Sequence, residues 1–506
     1  MDIADSLILG KFPHNGVFSV FKARLSTRRA LAFFLLPLAI ATPLAHAFQL
    51  GQSSGSVTQP APPIQVVQPQ INSTTYQGSE TTEKPVNGVL PLSLDDAVAR
   101  GLKHNLGLIL TSQTGLSARG EQLQELQALL PTVDANIKES VQETDLQAEG
   151  LRIAGFPAII GPYGFTDLRA SLNWSLLNLS ALQNYLASKH NFAGVKLSID
   201  DARDLVVLTV GNAYLSCIAD KSRIDEEQAQ VDTSKVSLDQ AIDNHKAGTA
   251  PLLDELRARV DYQTQQQLLI TAQNAYDKDR IALARAIGLS LEQKFQLTDQ
   301  APYAPLDNLD QETAVKQALA ARSDLKALRE QVAAAEHARE AATDERLPVV
   351  SFSGDYGDIG VNPSHSHGTG NASGTLDVPV FEEAKLRGDA KQAQSQLDQE
   401  RARLSDLQGQ ISADVRDSIL DIQSAAKLVE VSRSNVELAR EALSESQQRY
   451  KAGVEDNLAV SQALAAMAQA DDQYVNSSYQ HNIAKLSLAR ALGVAGNNYK
   501  QYVGGK

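Results

Sequence analysis

The chain has 506 residues with a single cysteine, Cys217, and 60 acidic against 46 basic side chains, a net charge of -14. One cysteine excludes an internal disulfide, a CxxC redox pair and a cysteine-based zinc site. The missing basic surplus argues against nucleic acid as a partner. The 18 prolines are clustered: none occurs from Val380 to Lys506, or between Pro162 and Pro251. Proline costs about 3 kcal/mol inside a helix, so these gaps leave room for very long helices.

At the N-terminus, Lys22, Arg24, Arg28 and Arg29 precede the apolar stretch Ala30–Ile40, and Ala45-His46-Ala47 follows. This is the pattern of an export signal, so residues 1–47 are expected to be removed. The apolar stretch is too short to span a bilayer as a helix. Residues 48–90 are rich in Gln, Pro, Ser, Thr and Gly, and are expected to form a flexible low-complexity tail.

The remainder repeats itself. Lys246-Ala247-Gly248 recurs as Lys451-Ala452-Gly453, and Leu283-Ala-Arg-Ala-Ile-Gly288 recurs as Leu488-Ala-Arg-Ala-Leu-Gly493, both at an offset of 205. Leu130-Pro131 matches Leu347-Pro348 at 217. A near-constant offset over so long a stretch marks a duplication, giving repeats at 91–300 and 301–499 and a short tail at 500–506. Each repeat reads as short helix, two strands, long helix, short helix. The helices are expected at 93–130 (Ser93 as N-cap, Asp96 three residues on), 180–246, 251–288, 310–347, 383–451 and 454–492. Two short helices end to end match one long one of about 100 Å. Along the second long helix Leu407, Ile411, Val415, Ile419, Ile422, Ala426 and Val429 form an apolar stripe. The opposite face carries Asp406, Asp414, Asp417 and Asp421, read as solvated.

Four short segments alternate apolar with polar residues. Val133, Ala135, Ile137 and Val141 interleave with Asp134, Asn136, Lys138 and Ser140; Leu168, Ala170, Leu172, Trp174 and Leu176 interleave with polar neighbours. Val350, Phe352 and Tyr356, and Ala372, Leu376, Val378 and Val380, do the same in the second repeat. Runs of about 9–11 residues with one apolar face suit tilted membrane strands. Four strands cannot close a barrel, and open edges are not tolerated in lipid. Closure then needs further copies: two would give eight strands, three would give twelve with room for a lumen, and a trimer is the preferred arrangement. The connections at 143–165 and 357–371 would face outward.

The turns between long and short helices are Lys246-Ala-Gly248-Thr-Ala-Pro251 and Tyr450-Lys451-Ala-Gly453-Val-Glu455-Asp456-Asn457. Glycine suits the left-handed residue that ends a helix, and proline the start of the next. Asp254, Glu255, Glu455 and Asp456 are the carboxylates nearest these turns. No P-loop or HExxH occurs, so neither catalytic residue nor cofactor is expected. His365 and His367 lack a third ligand and are read as loop. Cys217, between apolar neighbours, is read as a small core residue.

These motifs together resemble the TolC-type outer-membrane efflux protein family. The resemblance covers Leu92 to Tyr499. It rests on the helix openings Leu92-Ser-Leu-Asp-Asp-Ala-Val and Thr313-Ala-Val-Lys-Gln-Ala-Leu, both Leu-Pro strand entries, Pro379-Val-Phe-Glu-Glu-Ala-Lys-Leu-Arg, and the duplicated turns and helix endings. Ser175 stands where the family commonly has proline, and Leu179-Ser180 replaces a usual glycine pair. The resemblance implies a mainly α fold with a small antiparallel β part. Three copies would form a 12-stranded β-barrel continued by a long periplasmic α-helical barrel. It implies an outer-membrane channel with a homotrimer, a periplasmic adaptor, an inner-membrane pump of RND, ABC or MFS type, and outer-membrane lipid as partners. Conduction would be passive, gated at the hairpins through Lys246, Gly248, Pro251, Tyr450, Lys451 and Gly453. The family's aperture aspartates match Ala459 and Gln462 here, and Glu455 replaces an arginine, so Asp254, Glu255, Glu455 and Asp456 are the substitute gate carboxylates. A non-conducting periplasmic coiled-coil spacer is the alternative, disfavoured by the amphipathic strands; an exported hydrolase is a further rival that no motif supports.

Overall fold

The computed structural model describes residues 76–503 except 82–84, 86, 149, 151–153, 156, 300–302 and 307–308. The expected export signal and residues 48–75 lie outside the described residues. In chain order the elements are β1 (Leu90–Leu92), α1 (Leu94–His104), α2 (Leu106–Gln127), β2 (Thr132–Asp145), β3 (Ile159–Leu177), α3 (Leu179–Lys246) and α4 (Leu252–Ala286). The second repeat follows as β4 (Phe295–Leu297), α5 (Gln311–Ala321), α6 (Ser323–Asp344), β5 (Val349–Gly360), β6 (Ser366–Asp377), α7 (Glu383–Lys451) and α8 (Asn457–Ala491), with α9 (Ala495–Val503) at the end. At 1.5 Å per residue, the 68 and 69 residues of α3 and α7 run about 100 Å.

Each expected short helix at the start of a repeat is in fact two helices, broken at Asn105 and at Arg322. Neither break carries a proline or glycine; tertiary contacts make both. Asn105 is fully buried, donates its amide to the Tyr76 carbonyl at 2.6 Å and caps α2 through Gly107 N–H at 2.9 Å. Arg322 turns inward to Asp324 (2.6 Å) and Asp414 (3.0 Å), so Asp414 is a partner of a buried guanidinium, not part of a solvated face. The C-terminal glycines of α4 and α8 seat against these breaks. A Cβ on Gly288 would stand 2.5 Å from His104 Cβ, and one on Gly493 would stand 2.9 Å from the Arg322 backbone.

Three further segments were not expected. Tyr76 is buried, Ser79 bridges to Asn105, and β1 pairs in parallel with β4, so the segment before α1 is tied into the fold from Tyr76 on. α9 reaches back to the first repeat, with Tyr499 Oη donating to Asp95 at 2.7 Å and Gly496 N–H to Asp204 at 2.5 Å. Two cores sit side by side here. One is built around Val206, Val210, Tyr214 and Leu283, the other around Leu325, Ile411, Val415 and Leu492; Val494 and Tyr502 touch both. The expected α7 stripe is buried at Ile411, Val415, Ile419, Ile422 and Val429. Cys217 lies wholly inside the first core, where burial pushes its thiol up to about 12. α3 has a stretch apolar enough to cross a membrane, but half of that window is buried in the protein.

The four long strands form one antiparallel sheet in the order β2-β3-β5-β6. Its register puts Val133 opposite Leu172, Ile137 opposite Leu168, Trp174 opposite Phe352 and Val350 opposite Leu376, so the apolar residues share one face. Val133, Ile137, Val141, Tyr356 and Leu376 are between 63% and 77% exposed: nothing described in the chain covers that face. The other face is polar, with Arg169 paired to Asp167 (3.2 Å) and Asp355 (3.1 Å) and Ser353 bonded to Ser373. The strands are longer than their apolar alternation. The β2–β3 ladder continues through Gln142, Thr144 and Asp145, because backbone pairing needs no apolar side chain.

A buried charge network joins the repeats. Arg490 of α8 pairs with Asp201 of α3 at 2.6 Å. Burial outweighs this arginine and pushes the Asp201 carboxyl up to about 6; Asp204 is also raised, chiefly by burial. A carboxyl with a folded pKa above its unfolded value binds a proton in the native state first. Its contribution to stability therefore grows as pH falls from 7.5 to 5. His481, whose pKa burial lowers to about 4, acts in the opposite sense below about pH 6.5. Comparison with Asp201→Asn isolates the aspartate. The stability of this variant relative to wild type should fall by about 1 kcal/mol between pH 7.5 and pH 5, as read from denaturant titrations of helical ellipticity.

Candidate functional site

Both hairpin turns are built alike. α3 ends with Gly248 N–H donating to His245 O (3.0 Å) and Thr249 N–H to Asn244 O (2.9 Å); α7 ends with Gly453 N–H to Tyr450 O (3.0 Å) and Val454 N–H to Arg449 O (3.1 Å). This paired pattern closes a helix through a left-handed residue, and the glycines adopt φ of +74° and +71°. The conformation alone demands glycine here, since an added Cβ would meet nothing within 4 Å. Pro251 then occupies the N-cap of α4 and Asp456 that of α8, neither with a side-chain cap bond.

The four carboxylates do not share one environment. Asp254 is buried, 3.7 Å from Arg257, and its backbone carbonyl accepts from Asn457 Nδ2 at 3.4 Å. Glu255 pairs with Arg259 at 2.8 Å and Glu455 with Arg449 at 3.2 Å. Asp456, Lys246 and Lys451 are exposed, and Tyr450 is buried. Ala459 is half-buried and Gln462 exposed.

Contacts between the two hairpins went unforeseen in the sequence. Besides Asn457 on Asp254, Ser461 Oγ donates to Asp261, Gln230 Nε2 donates to Asp471 (3.0 Å) and Arg223 pairs with Asp472 (2.9 Å). Each joins residues about 200 or more positions apart, and only the offset of the duplication hinted that the hairpins lie side by side. An apolar face at the tip was also missed: Leu252, Leu253, Leu256 and Val260 of α4 are exposed, with Val454 and Leu458 on the second hairpin.

At the other end of α3, β3 passes into the helix through Asn178 alone, whose side chain accepts from Ala181 N–H at 2.9 Å. A side-chain cap thus replaces the proline and glycines of the usual junction, and a bulge at Ser175–Leu177 lets the strand turn. In the second repeat five residues, Val378–Glu382, separate β6 from α7. His365 bonds within its own turn to Asn362 Oδ1.

The sequence profile described as "Outer membrane efflux protein" matches residues 111–289 and 314–494, one stretch in each repeat. The probable efflux pump outer membrane protein SepC of Pseudomonas putida is 24% identical over 466 residues, 87% of this chain and 93% of that protein. The toluene efflux pump outer membrane protein TtgF of the same species matches to the same extent. Among solved structures, the CmeC outer membrane channel of Campylobacter jejuni superposes with a TM-score of 0.72 at 16% identity, covering 85% of this chain and 95% of that one. VceC of Vibrio cholerae gives 0.69 at 18% identity, covering 79% and 96%. At such identities the structural likeness is one of fold.

The turn geometry separates two kinds of glycine. Gly248→Ala and Gly453→Ala should each cost about 1–2 kcal/mol, the left-handed penalty alone. Gly493→Ala adds an overlap with the Arg322 backbone and should cost at least about 3 kcal/mol. Thermal unfolding followed by helical ellipticity ranks the three.

Proposed function

The chain belongs to the outer membrane efflux protein family, and on that premise we propose that it is the passive exit duct of a tripartite efflux or type I secretion system. Members act in the outer membrane as efflux channels, not as enzymes. Three copies would join β6 of one to β2 of the next, closing twelve strands around a lumen, and their long helices would continue it as a periplasmic tunnel. The observation that carries this reading is the uncovered apolar face of a sheet with two unpaired edges, continuous with helices of about 100 Å. In lipid an apolar outer face is favourable, whereas unpaired backbone groups are costly.

The polar face, with Arg169, Asp167 and Asp355, would line the barrel. The hairpin tips would face an adaptor driven by an RND, ABC or MFS pump, with the exposed Leu252, Leu253, Leu256 and Val454 offering apolar contact area. Lys246, Gly248, Pro251, Tyr450, Lys451 and Gly453 form the turns that would move. Asp254, Glu255, Glu455 and Asp456 would supply the charge at the aperture. Three copies of each carboxylate in one ring would favour cations. The inter-hairpin bonds at Asn457 and Ser461 would hold the tip shut.

Purified protein reconstituted in a planar bilayer should behave as a trimer that conducts ions, and a non-conducting product would favour the spacer reading instead. Asp254→Ala with Glu455→Ala should lower the preference for cations by about twofold or more. An unchanged reversal potential in a salt gradient would remove these residues from the gate.

A further inference from the structure

About 30 Å along α3 from the tip turn, the interface between the two hairpins is lined by like charges. Glu226 and Glu227 of α3 meet Asp471 and Asp472 of α8, with Gln230 among them, around a small pocket also lined by Arg223, Ala468 and Val475. Arg223 is already shared between Asp472 at 2.9 Å and Asp220 at 3.0 Å. The other cation acting on the cluster is Arg440 of α7, felt by Glu226 and Asp471. Four carboxylates thus share two arginines, one of which also pairs with Asp220.

A second observation points into the same space. Gln230 is 5% exposed, and its Nε2 donates to Asp471 at 3.0 Å. That leaves its Oε1 buried without a partner, and Glu227 Oε2 is likewise buried and unpartnered. Reversing the amide would aim its oxygen at a carboxylate, so the orientation is fixed by charge. A buried carbonyl oxygen without a donor costs about 1–3 kcal/mol; of the charged groups lining the pocket only Arg223 can donate, and it is already bonded to Asp472 and Asp220. The pocket volume is about 10 Å³, room for one small ion or one water. Burial, then the facing aspartates, raises the pKa of Glu226 and Glu227. The interface is short of positive charge.

We propose that Glu226, Glu227, Asp471 and the Gln230 carbonyl oxygen bind one divalent cation per chain, calcium in preference to magnesium, tying the first helical hairpin to the second. Hard oxygen donors of uneven geometry on two separate helices suit the flexible coordination of calcium better than the strict octahedron of magnesium. Among the described residues no three acidic, histidine or cysteine groups already stand around one point as metal ligands, so side-chain rotation accompanies binding. Without the cation, like charges push α3 and α8 apart; with it, the hairpins are held together. The consequence for opening rests on the proposed duct, but binding itself does not.

The test uses the full chain purified in detergent and stripped with chelator, titrated with calcium and separately with magnesium in a calorimeter. One calcium per chain with an affinity of about 10⁻⁴–10⁻³ M is expected, with magnesium weaker. Glu227→Gln and Asp471→Asn should each weaken it at least about tenfold, while Asp406→Asn on the exposed face of α7 leaves it intact. Both variants relieve repulsion and so retain a melting temperature at or above that of chelated wild type; calcium should raise the melting temperature of wild type but not theirs. No heat of binding in wild type up to about 10 mM calcium, or equal binding by all three variants, would overturn the site. Calcium that binds as expected yet leaves the opening of reconstituted wild-type channels unchanged would overturn the latch. A protein that binds calcium but never conducts would refute the duct and leave the site standing.

Discussion

The outer strands β2 and β6 each pair on one side only, and that imbalance organises everything else. A strand edge is a row of donors and acceptors that must be satisfied by water or by another strand. Here the same strands carry Val133, Ile137 and Leu376 outward, where water is unfavourable. One chain cannot resolve both demands. Lipid against the face and, in the proposed closed assembly, a further copy against each edge would resolve them together.

Below the sheet, the constraint passes to the helices through two short junctions. Asn178 launches α3 directly from β3, so strand direction fixes helix direction in the first repeat, while five residues loosen that coupling in the second. The duplicated halves are then locked at one level by two buried cores, by the glycines seated at Asn105 and Arg322, and by Arg490 with Asp201. Beyond that level the apolar contacts thin out, and the contacts between hairpins are largely polar. A tightly packed level beside a polar, charge-strained pair of hairpins is what the proposed duct, fixed at one end and movable at the other, would require. Buried hydrocarbon holds regardless of ionic conditions, whereas carboxylate interfaces respond to protons and cations.

The acidic surplus of the whole chain gains a location from this. Part of it is neutralised locally, as at Glu255 with Arg259 and Glu455 with Arg449. Part sits where neutralisation is incomplete, between Glu226 and Glu227 on one hairpin and Asp471 and Asp472 on the other. A stable soluble bundle would gain from apolar residues at those positions. Their absence weakens the association of the hairpins specifically, leaving each hairpin's own packing intact.

Much of the fold could be read from local pattern. Proline-free runs fixed the long helices, period-two alternation fixed the strands and their apolar face, and the repeated Ala-Gly turns fixed the hairpins. All three follow from the backbone preferences of a few residues, which act wherever the chain goes. What the tertiary structure alone decided lies where distant segments meet. The helix breaks at Asn105 and Arg322, the β1–β4 pair, the docking of α9, the burial of Asp254 and the partner of Asp414 all depend on groups far away in sequence. Local propensity accounts for little of this: Asn105 is a good N-cap for α2, but its break, like that at Arg322, is completed by buried partners distant in sequence. The sequence by itself therefore determined which elements exist and which faces are apolar, while three-dimensional packing decided which carboxylates are free to act.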